Sequence, residues 1–384
     1  MKVGIEGSLF FKRSSGVGYY AKRLIEAATK KDSDINFEIV RHWLVFKKFK
    51  PPLKPSSRLS YRLVKWFPPI IYYQVFKRLN WFIPYDLVAL RKYDAFLFFN
   101  FIAFPLRKNT KSIIVVHDIS FIKFPQFTQA KNLKYTPKLL RRSIKRAAHI
   151  ITVSENSKKE IAEFYKLPPD RITVIPNGVD HERFYPRPAI DIGKVRQKYS
   201  LPENYIHFHG TIEPRKNIEG ILDAYAQLDT GLKTRYALVL SGGKGWNDEG
   251  IYRKIGQLQK AGNKILLLGY IENEELAPLL SGASVFIWPS FYEGFGVPPL
   301  EAMACGVPVI TSNSSSLPEV VGDAAIKIRP EDTRALTAAI NQVLSDTTLA
   351  SNLSRAGLSQ SKKYTWEASA QKLIKLLDSL SNSR

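Results

Sequence analysis

Along most of the chain, short apolar runs of strand length alternate with stretches of helical spacing, the rhythm of parallel sheets joined by crossover helices. In the first half this pattern predicts strands at 2–5, 95–99, 112–116, 150–153 and 172–175, with helices near 19–28, 131–147 and 155–164. Ser14-Ser15-Gly16-Val17-Gly18 reads as the loop between the first strand and the first helix. Residues 41–93, with Pro51-Pro52, Pro55 and Pro68-Pro69, interrupt the rhythm. A linker is expected at 180–200, around Pro186-Arg187-Pro188. Beyond it the pattern resumes, with strands at 205–209, 236–240, 264–268, 285–288 and 307–310 and helices near 217–228, 248–261, 273–281 and 298–304. From about 330 to 380 the chain reads as helical, with Leu336, Ile340, Val343 and Leu344 at helical spacing. The expected fold class is therefore α/β, with two doubly wound sheets. The expected parts are residues 1–185 with an insert at 41–93, residues 186–365, and a closing segment 366–384 that packs back on the first domain. Open parallel sheets bind ligands in the crevice at the carboxyl ends of their strands. No short-period repeat is present, which sets solenoids and propellers aside.

Composition sharpens this picture. A chain of 384 residues exceeds one ordinary domain, and 45% hydrophobic residues suffice for two cores. The formal charge is +23, from 57 Lys+Arg against 34 Asp+Glu. It is unevenly placed: residues 1–150 hold 30 basic and 8 acidic residues, a balance of +22, whereas residues 151–384 hold 27 and 26, a balance of +1. Residues 41–93 combine 12 Lys+Arg, one acid (Asp86) and 13 aromatics, among them Trp43, Trp66 and Trp81. Cations interleaved with amphipathic rings suit an anionic membrane surface. The same mixture suits nucleic acid, through phosphate neutralisation and base stacking, and it also fits a helical insertion with aromatic core and exposed cations. The single Cys305 forms no internal disulfide or thiolate cluster, which points to a reducing compartment. Glu6 and two glycines stand where a signal peptide has its apolar region, and no apolar run approaches the roughly 18 residues of a membrane span. A cytoplasmic protein, peripheral at the inner face of the membrane, is the expectation.

Four segments carry candidate chemistry. Trp288-Pro289-Ser290-Phe291-Tyr292-Glu293-Gly294-Phe295-Gly296-Val297-Pro298-Pro299-Leu300-Glu301 runs from the end of a predicted strand, through a glycine loop, into a helix opened by proline. Such a helix start offers unpaired N–H groups to a diphosphate, and its two carboxylates can address the hydroxyls of an extended sugar ligand. His209-Gly210-Thr211-Ile212-Glu213-Pro214-Arg215-Lys216-Asn217 again follows a strand. There the forked Arg215 and the point charge of Lys216 suit a pyrophosphate; a capped helix entry with two exposed cations is the plainer reading. In the first half, Gly16 and Gly18 permit close backbone approach to a ligand without completing a dinucleotide fingerprint. His117-Asp118 ends a predicted strand, where the imidazole either donates to a sugar hydroxyl or satisfies a loop carbonyl. The chain has no phosphate-loop, His-Glu-x-x-His or Asp-x-Asp signature, which disfavours metal-dependent phosphoryl transfer.

Together these residues resemble the retaining, nucleotide-sugar-dependent glycosyltransferases of family 4. The resemblance rests on Glu293 through Glu301 (an E-x7-E motif), on 210–217, on Ala302-Met303-Ala304-Cys305-Gly306-Val307-Pro308-Val309-Ile310, and on Val116-His117-Asp118, 152–157 and 175–180. It covers nearly the whole chain apart from 41–93. It implies a GT-B fold, two facing Rossmann-like domains with the active site in the cleft between them. It also implies roles: Glu301 on the ribose, Glu293 with the backbone of Phe295 and Gly296 on the donor sugar, Arg215 and Lys216 at the diphosphate, Gly16 and Gly18 near the donor phosphates, His117 beside the transferred sugar, and Gly210 and Val297 among the substrate-binding residues. The implied partners are a nucleotide sugar, GDP-mannose or a UDP-hexose, and a glycan or lipid-linked oligosaccharide acceptor, with no metal or other cofactor and no nucleic acid. The His117-Asp118 region resembles bacterial surface-polysaccharide mannosyltransferases and so favours mannose. A UDP-dependent hexosyltransferase, a sucrose-forming enzyme of the same fold and a nucleic-acid-binding protein on an idle transferase scaffold are the alternatives.

Overall fold

The computed structural model describes residues 1–11, 16–42, 50–65, 84–128 and 130–382. By contact the chain forms two units. The first comprises Met1–Ile122, Ala130–Asn177 and Trp366–Arg384, and the second Lys123–Gln129 and Gly178–Thr365. Basic and acidic residues number 36 and 14 in the first and 21 and 20 in the second, so the split of +22 and +1 belongs to the folded units.

The first unit is a seven-stranded sheet of β1 (Lys2–Glu6), β2 (Asn36–His42), β3 (Leu59–Val64), β4 (Ala95–Phe98), β5 (Lys111–Val115), β6 (His149–Thr152) and β7 (Ile172–Val174). Its order is β3-β2-β1-β4-β5-β6-β7 and all neighbours are parallel. Helices cover both faces, so β4 is an apolar run and β6, with Ile150 and Ile151 at its centre, is likewise buried along its length. On one face Phe96, Phe98, Tyr85 and Phe104 pack with Leu140 and Ile144 of the helix Ala130–Arg146. The helix Gly16–Thr29 buries Tyr20, Leu24 and Ile25. The closing helix Trp366–Asn382 lies in the same unit: Trp366 meets Tyr19 and Tyr20 edge-on at 6.0 and 5.9 Å, and Ser369 Oγ donates to the Pro176 carbonyl at 2.8 Å.

Two expectations are corrected here. Residues 41–93 are not a plain interruption, because β3 lies within them and pairs in register with β2, Phe37 opposite Leu59. The insert's one acid, Asp86, is fully buried and holds Arg107 Nε at 2.9 Å and Thr110 Oγ1 at 2.7 Å, a structural role. Trp43, Trp66 and Trp81 lie outside the described residues. The segment 180–200, expected as a linker, contains the helix Ala189–Tyr199, which starts after Pro188 and ends at a left-handed Ser200. The contact division falls after Asn177, because the chain from Gly178 packs on the second unit, where Val179 N donates to the Tyr364 carbonyl and Phe184 is buried.

The second unit has β8 (Tyr205–His209), β9 (Ala237–Ser241), β10 (Ile265–Gly269), β11 (Val285–Trp288), β12 (Val309–Ser312) and β13 (Ile326–Ile328). All are parallel, in the order β10-β9-β8-β11-β12-β13. Strand order reverses between β1 and β4 in one sheet and between β8 and β11 in the other. Each sheet thereby acquires a crevice at the carboxyl ends of those strands. In the second unit the crevice floor is tight: Gly242 has φ +130°, and a Cβ there would stand 1.9 Å from the Gly210 carbonyl oxygen. Neither atom belongs to a flexible side chain, so the clash has no cheap relief. Gly242→Ala is expected to lower stability by about 2–4 kcal/mol, read as a fall in the urea midpoint; an unchanged midpoint would contradict this geometry.

Candidate active site

The loops after β8 and β11 meet at the switch point of the second sheet. Phe291 N donates to the Arg215 carbonyl at 3.0 Å, and Arg215 Nη1 returns a bond to the Tyr292 carbonyl at 2.6 Å. This pairing delivers both cations to one carboxylate. Arg215 Nη1 reaches Glu293 Oε2 at 2.9 Å and Lys216 Nζ reaches Glu293 Oε1 at 2.5 Å, while Arg215 Nη2 binds Glu213 Oε1 at 2.7 Å. Lys216 also stands 4.4 Å over the ring of Trp288, the last residue of β11. The backbone around Glu293 is fixed from the loop after β12: Ser315 Oγ accepts from Glu293 N at 2.9 Å, and Ser316 Oγ donates to the Glu293 and Phe295 carbonyls at 2.9 and 2.7 Å.

Electrostatics follow from this enclosure. Burial alone pushes the Glu293 carboxyl up, but Arg215 and Lys216 overcome it and hold the group down at about 2. Burial lowers Lys216, with Arg215 adding to the fall. Glu213 is raised by burial against the pull of Arg215 and Lys216. Glu293 is thus an ionised acceptor, unsuited to donating a proton.

Glu301 lies inside the helix Val297–Ala304, whose N-cap Gly296 has φ +120°. A Cβ at Gly296 would also press to 2.7 Å of Leu317 Cδ2, so the sharp turn into the helix requires glycine. Burial raises Glu301 from 4.5 to about 8, with Arg183 opposing and Asp180 adding to the rise. At neutral pH its carboxyl carries a proton, so it both donates and accepts, a fit for a pair of hydroxyls. Phe295 is buried edge-on to Tyr364 at 5.6 Å, and Gly210 lies against the Trp288 ring. The structure therefore brings Gly210, Arg215, Lys216, Glu293, Phe295, Gly296, Val297 and Glu301 into one unit, on the carboxyl side of its sheet. A cleft of about 340 Å³ opens on the same side, lined by Ile212, Gly242, Lys244, Tyr252, Gly269 and Tyr270.

Gly16, Gly18 and His117 belong to the first unit. Gly16 and Gly18 form the first turn of the helix Gly16–Thr29, after β1, with Gly16 exposed and Gly18 buried. His117 follows β5. Its ring meets Tyr20 edge-on at 5.1 Å and its Nε2 lies 3.3 Å from the Phe99 carbonyl, the loop contact that the plainer sequence reading anticipates. Burial lowers its pKa to about 4, so the imidazole is neutral near pH 7. Among the described residues no group of three or more His, Cys, Asp or Glu is arranged to hold a metal, and no helix is long and apolar enough to cross a membrane.

Comparison with known proteins bears on this site. The family model described as Glycosyltransferase Family 4 matches residues 14–183, and that described as Glycosyl transferases group 1 matches residues 191–360. O-antigen chain mannosyltransferase B of Escherichia coli is 39% identical over 280 residues, 73% of either chain. The chain belongs to the group 1, family 4 glycosyltransferases. O-antigen chain mannosyltransferase RfbU of Salmonella typhimurium is 31% identical over 62% of either chain. The serotype-specific mannosyltransferase WbdA of Escherichia coli is 31% identical over 69% of this chain, a match that spans only 33% of that longer protein. In solved structures, sucrose-phosphate synthase from Thermosynechococcus elongatus superposes over the whole of both chains with TM-score 0.75 at 21% identity, and WaaG, a glycosyltransferase involved in lipopolysaccharide biosynthesis, with TM-score 0.72 at 13%. These likenesses establish the GT-B fold of this glycosyltransferase.

Sequence reasoning missed several residues around the candidate site. Glu213, Ser315 and Ser316 anchor Arg215 and Glu293. From the short segment Lys123–Gln129, Phe127 stacks on Phe291 at 5.4 Å, Phe124 tilts on Tyr292 at 5.3 Å, and Trp246 Nε1 donates to the Phe127 carbonyl at 2.7 Å. The only sequence signal for these was the serine run 314–316 and the spacing of Phe124 and Phe127. One pH effect follows from Glu301. Its folded pKa is raised, so its favourable contribution is complete below about pH 4.5 and is lost as pH rises through about 8. Glu301→Gln keeps the neutral form at every pH, so its melting temperature is expected to gain on the wild type between pH 5 and 8; parallel curves would contradict the assigned shift.

Proposed function

We propose that this glycosyltransferase moves a mannosyl residue from GDP-mannose, with retention of configuration and without a metal, to a lipid-linked glycan during assembly of a surface polysaccharide. The observation that carries the reading is the Glu293 carboxylate fixed between Arg215 and Lys216 at the switch point of the second sheet. The relationship to O-antigen mannosyltransferases supports the choice of sugar. In this reading the ionised Glu293 accepts hydroxyls of the mannose, while the N–H groups of the Phe295-Gly296-Val297 backbone fix its position. Lys216 commits one of its three N–H donors to Glu293, leaving two for the diphosphate beside Arg215. Two cations then offset the charge that develops on the leaving nucleoside diphosphate, the task a divalent ion performs elsewhere. Gly210 lets the phosphates approach the backbone, and Glu301 holds the ribose hydroxyls. The nucleobase takes the cleft beside Lys244, Tyr252 and Tyr270.

Retention follows when the acceptor hydroxyl attacks on the face the diphosphate leaves and gives its proton to a departing phosphate oxygen. No protein nucleophile is needed. Of the first unit's candidates, His117 keeps its single N–H on the Phe99 carbonyl, so its other ring nitrogen is an acceptor suited to a sugar hydroxyl. The excess charge of that unit suits an acceptor held at the anionic cytoplasmic face of a membrane, which makes the enzyme peripheral. Thermal denaturation against nucleotide sugars tests the donor directly. GDP-mannose at about 100 times its Kd is expected to add about 2.7 kcal/mol, with UDP-glucose and ADP-glucose giving no comparable shift. Stabilisation by UDP-glucose alone would overturn the mannosyl reading and leave the family intact.

A further inference from the structure

Trp288 ends β11 beside the cation pair, and the chemistry proposed above makes no use of it. Its ring is held in one orientation. Phe208 of β8 stacks on it at 5.0 Å with the planes 11° apart, and Phe286, two residues earlier in β11, lies 6.1 Å away at 14°. Gly210 borders its edge, where a Cβ would come to 2.8 Å of Trp288 Cη2. The side chain is 1% exposed, and its Nε1 is buried with no hydrogen-bond partner among the described residues. A buried donor left unpaired is costly, and an all-carbon ring like those of Phe208 and Phe286 carries no such cost. Packing alone therefore does not account for tryptophan at this position.

Lys216 supplies a reason. Its Nζ stands 4.4 Å from the centroid of the Trp288 ring, and the two cations of the site are unequally provided for. Arg215 has two carboxylates, Glu213 and Glu293, and its side chain keeps 20% exposure. Lys216 has one, the Glu293 it shares with Arg215, and its side chain is 9% exposed. The charged groups that act on Lys216 are Arg215 and Glu213 from its own loop and Glu293 from the loop after β11; burial, and then Arg215, weigh against its proton. An ammonium stripped of water and left with a shared counter-ion needs a further source of negative potential. An indole face is the strongest that an uncharged side chain offers. Unlike a further carboxylate, it adds no net negative charge to a site that has to attract a diphosphate.

We propose that Trp288 is a positioning residue for donor recognition: its face is the second counterpart of the Lys216 ammonium, beside Glu293, and fixes the charge that meets the diphosphate. This rests on the reading in which Lys216 meets that diphosphate, and it assigns the unpaired indole a task that packing does not.

The test is calorimetric titration of the full-length protein with GDP, and with UDP in parallel, from pH 6 to pH 10. Wild type is compared with Trp288→Phe and Trp288→Leu, and the ratio of variant to wild-type Kd cancels the ionisation of the ligand itself. Loss of a cation–π contact out of water lowers by about one pH unit the point at which Lys216 gives up its proton. The ratio for Trp288→Leu is therefore expected to climb about tenfold between pH 6 and pH 10, and that for Trp288→Phe, which keeps an aromatic face, to climb less. A ratio that does not change with pH overturns the proposal, because lost packing weakens binding alike at every pH. In a Lys216→Met background the climb is expected to vanish; its persistence would show that the ring acts through another group. Should Trp288→Leu fail to fold, tryptophan fluorinated on its six-membered ring and placed at 288 alone keeps the shape while weakening the face. The climb is then expected to grow with each fluorine, and its absence overturns the proposal. Wild type that binds UDP and not GDP, with the same climb, overturns the GDP-mannose reading and supports the role of Trp288. Wild type that binds neither at pH 6 overturns both.

Discussion

A buried carboxylate shared by two cations is the constraint on which the second unit depends. Taking Glu293 and Lys216 out of water is costly, and their attraction offsets that cost only when the geometry is held. The structure holds it from three loops: 213–217 after β8 supplies the cations, 291–296 after β11 supplies the carboxylate, and Ser315 and Ser316 after β12 fix the backbone between them. Strand order places β8 and β11 side by side although β9 and β10 separate them in the chain. Removing any one of the three charges leaves a buried partner uncompensated, so fold and site are coupled at this point.

The two acids of the E-x7-E segment then divide their work by environment. Glu293, beside one guanidinium and one ammonium charge, stays ionised; Glu301, enclosed with weaker compensation from Arg183, holds its proton. One offers pure acceptor capacity and the other a donor as well, a pairing suited to a polyhydroxylated ligand at two places along its length. Charge at the scale of whole units follows a similar division. The second unit is nearly neutral, its cations matched by acids, with Arg215 and Lys216 committed to Glu293, while the first unit keeps a surplus.

Much of this was legible in the sequence where local pattern decides. β11 is an uninterrupted apolar run, Val285–Trp288, and β8, Tyr205–His209, carries Tyr205, Ile206 and Phe208 between turn signals; both were placed at those bounds. The edge of the first sheet was not legible, because Ser60 and Arg62 break the apolar run of β3, as an edge strand permits, while Arg41 and the buried Glu38, held by the Tyr93 hydroxyl, break that of β2. Likewise Arg215, Lys216 and Glu293 were marked by residue type and by position after strands. That the cations bind the acid rather than wait in solvent depends on contacts 77 and 78 residues apart along the chain, which no local pattern encodes. The helix Ala189–Tyr199 was hidden by the prolines before it and by its single buried residue, Val195.

The most direct test of the shared carboxylate is a double-mutant cycle of Lys216→Met and Glu293→Gln, read in kcat/KM for GDP-mannose. The coupled site predicts that the two losses overlap, with an interaction energy of about 2 kcal/mol or more. Additive losses would show that the ammonium and the carboxylate act independently, and would contradict the account.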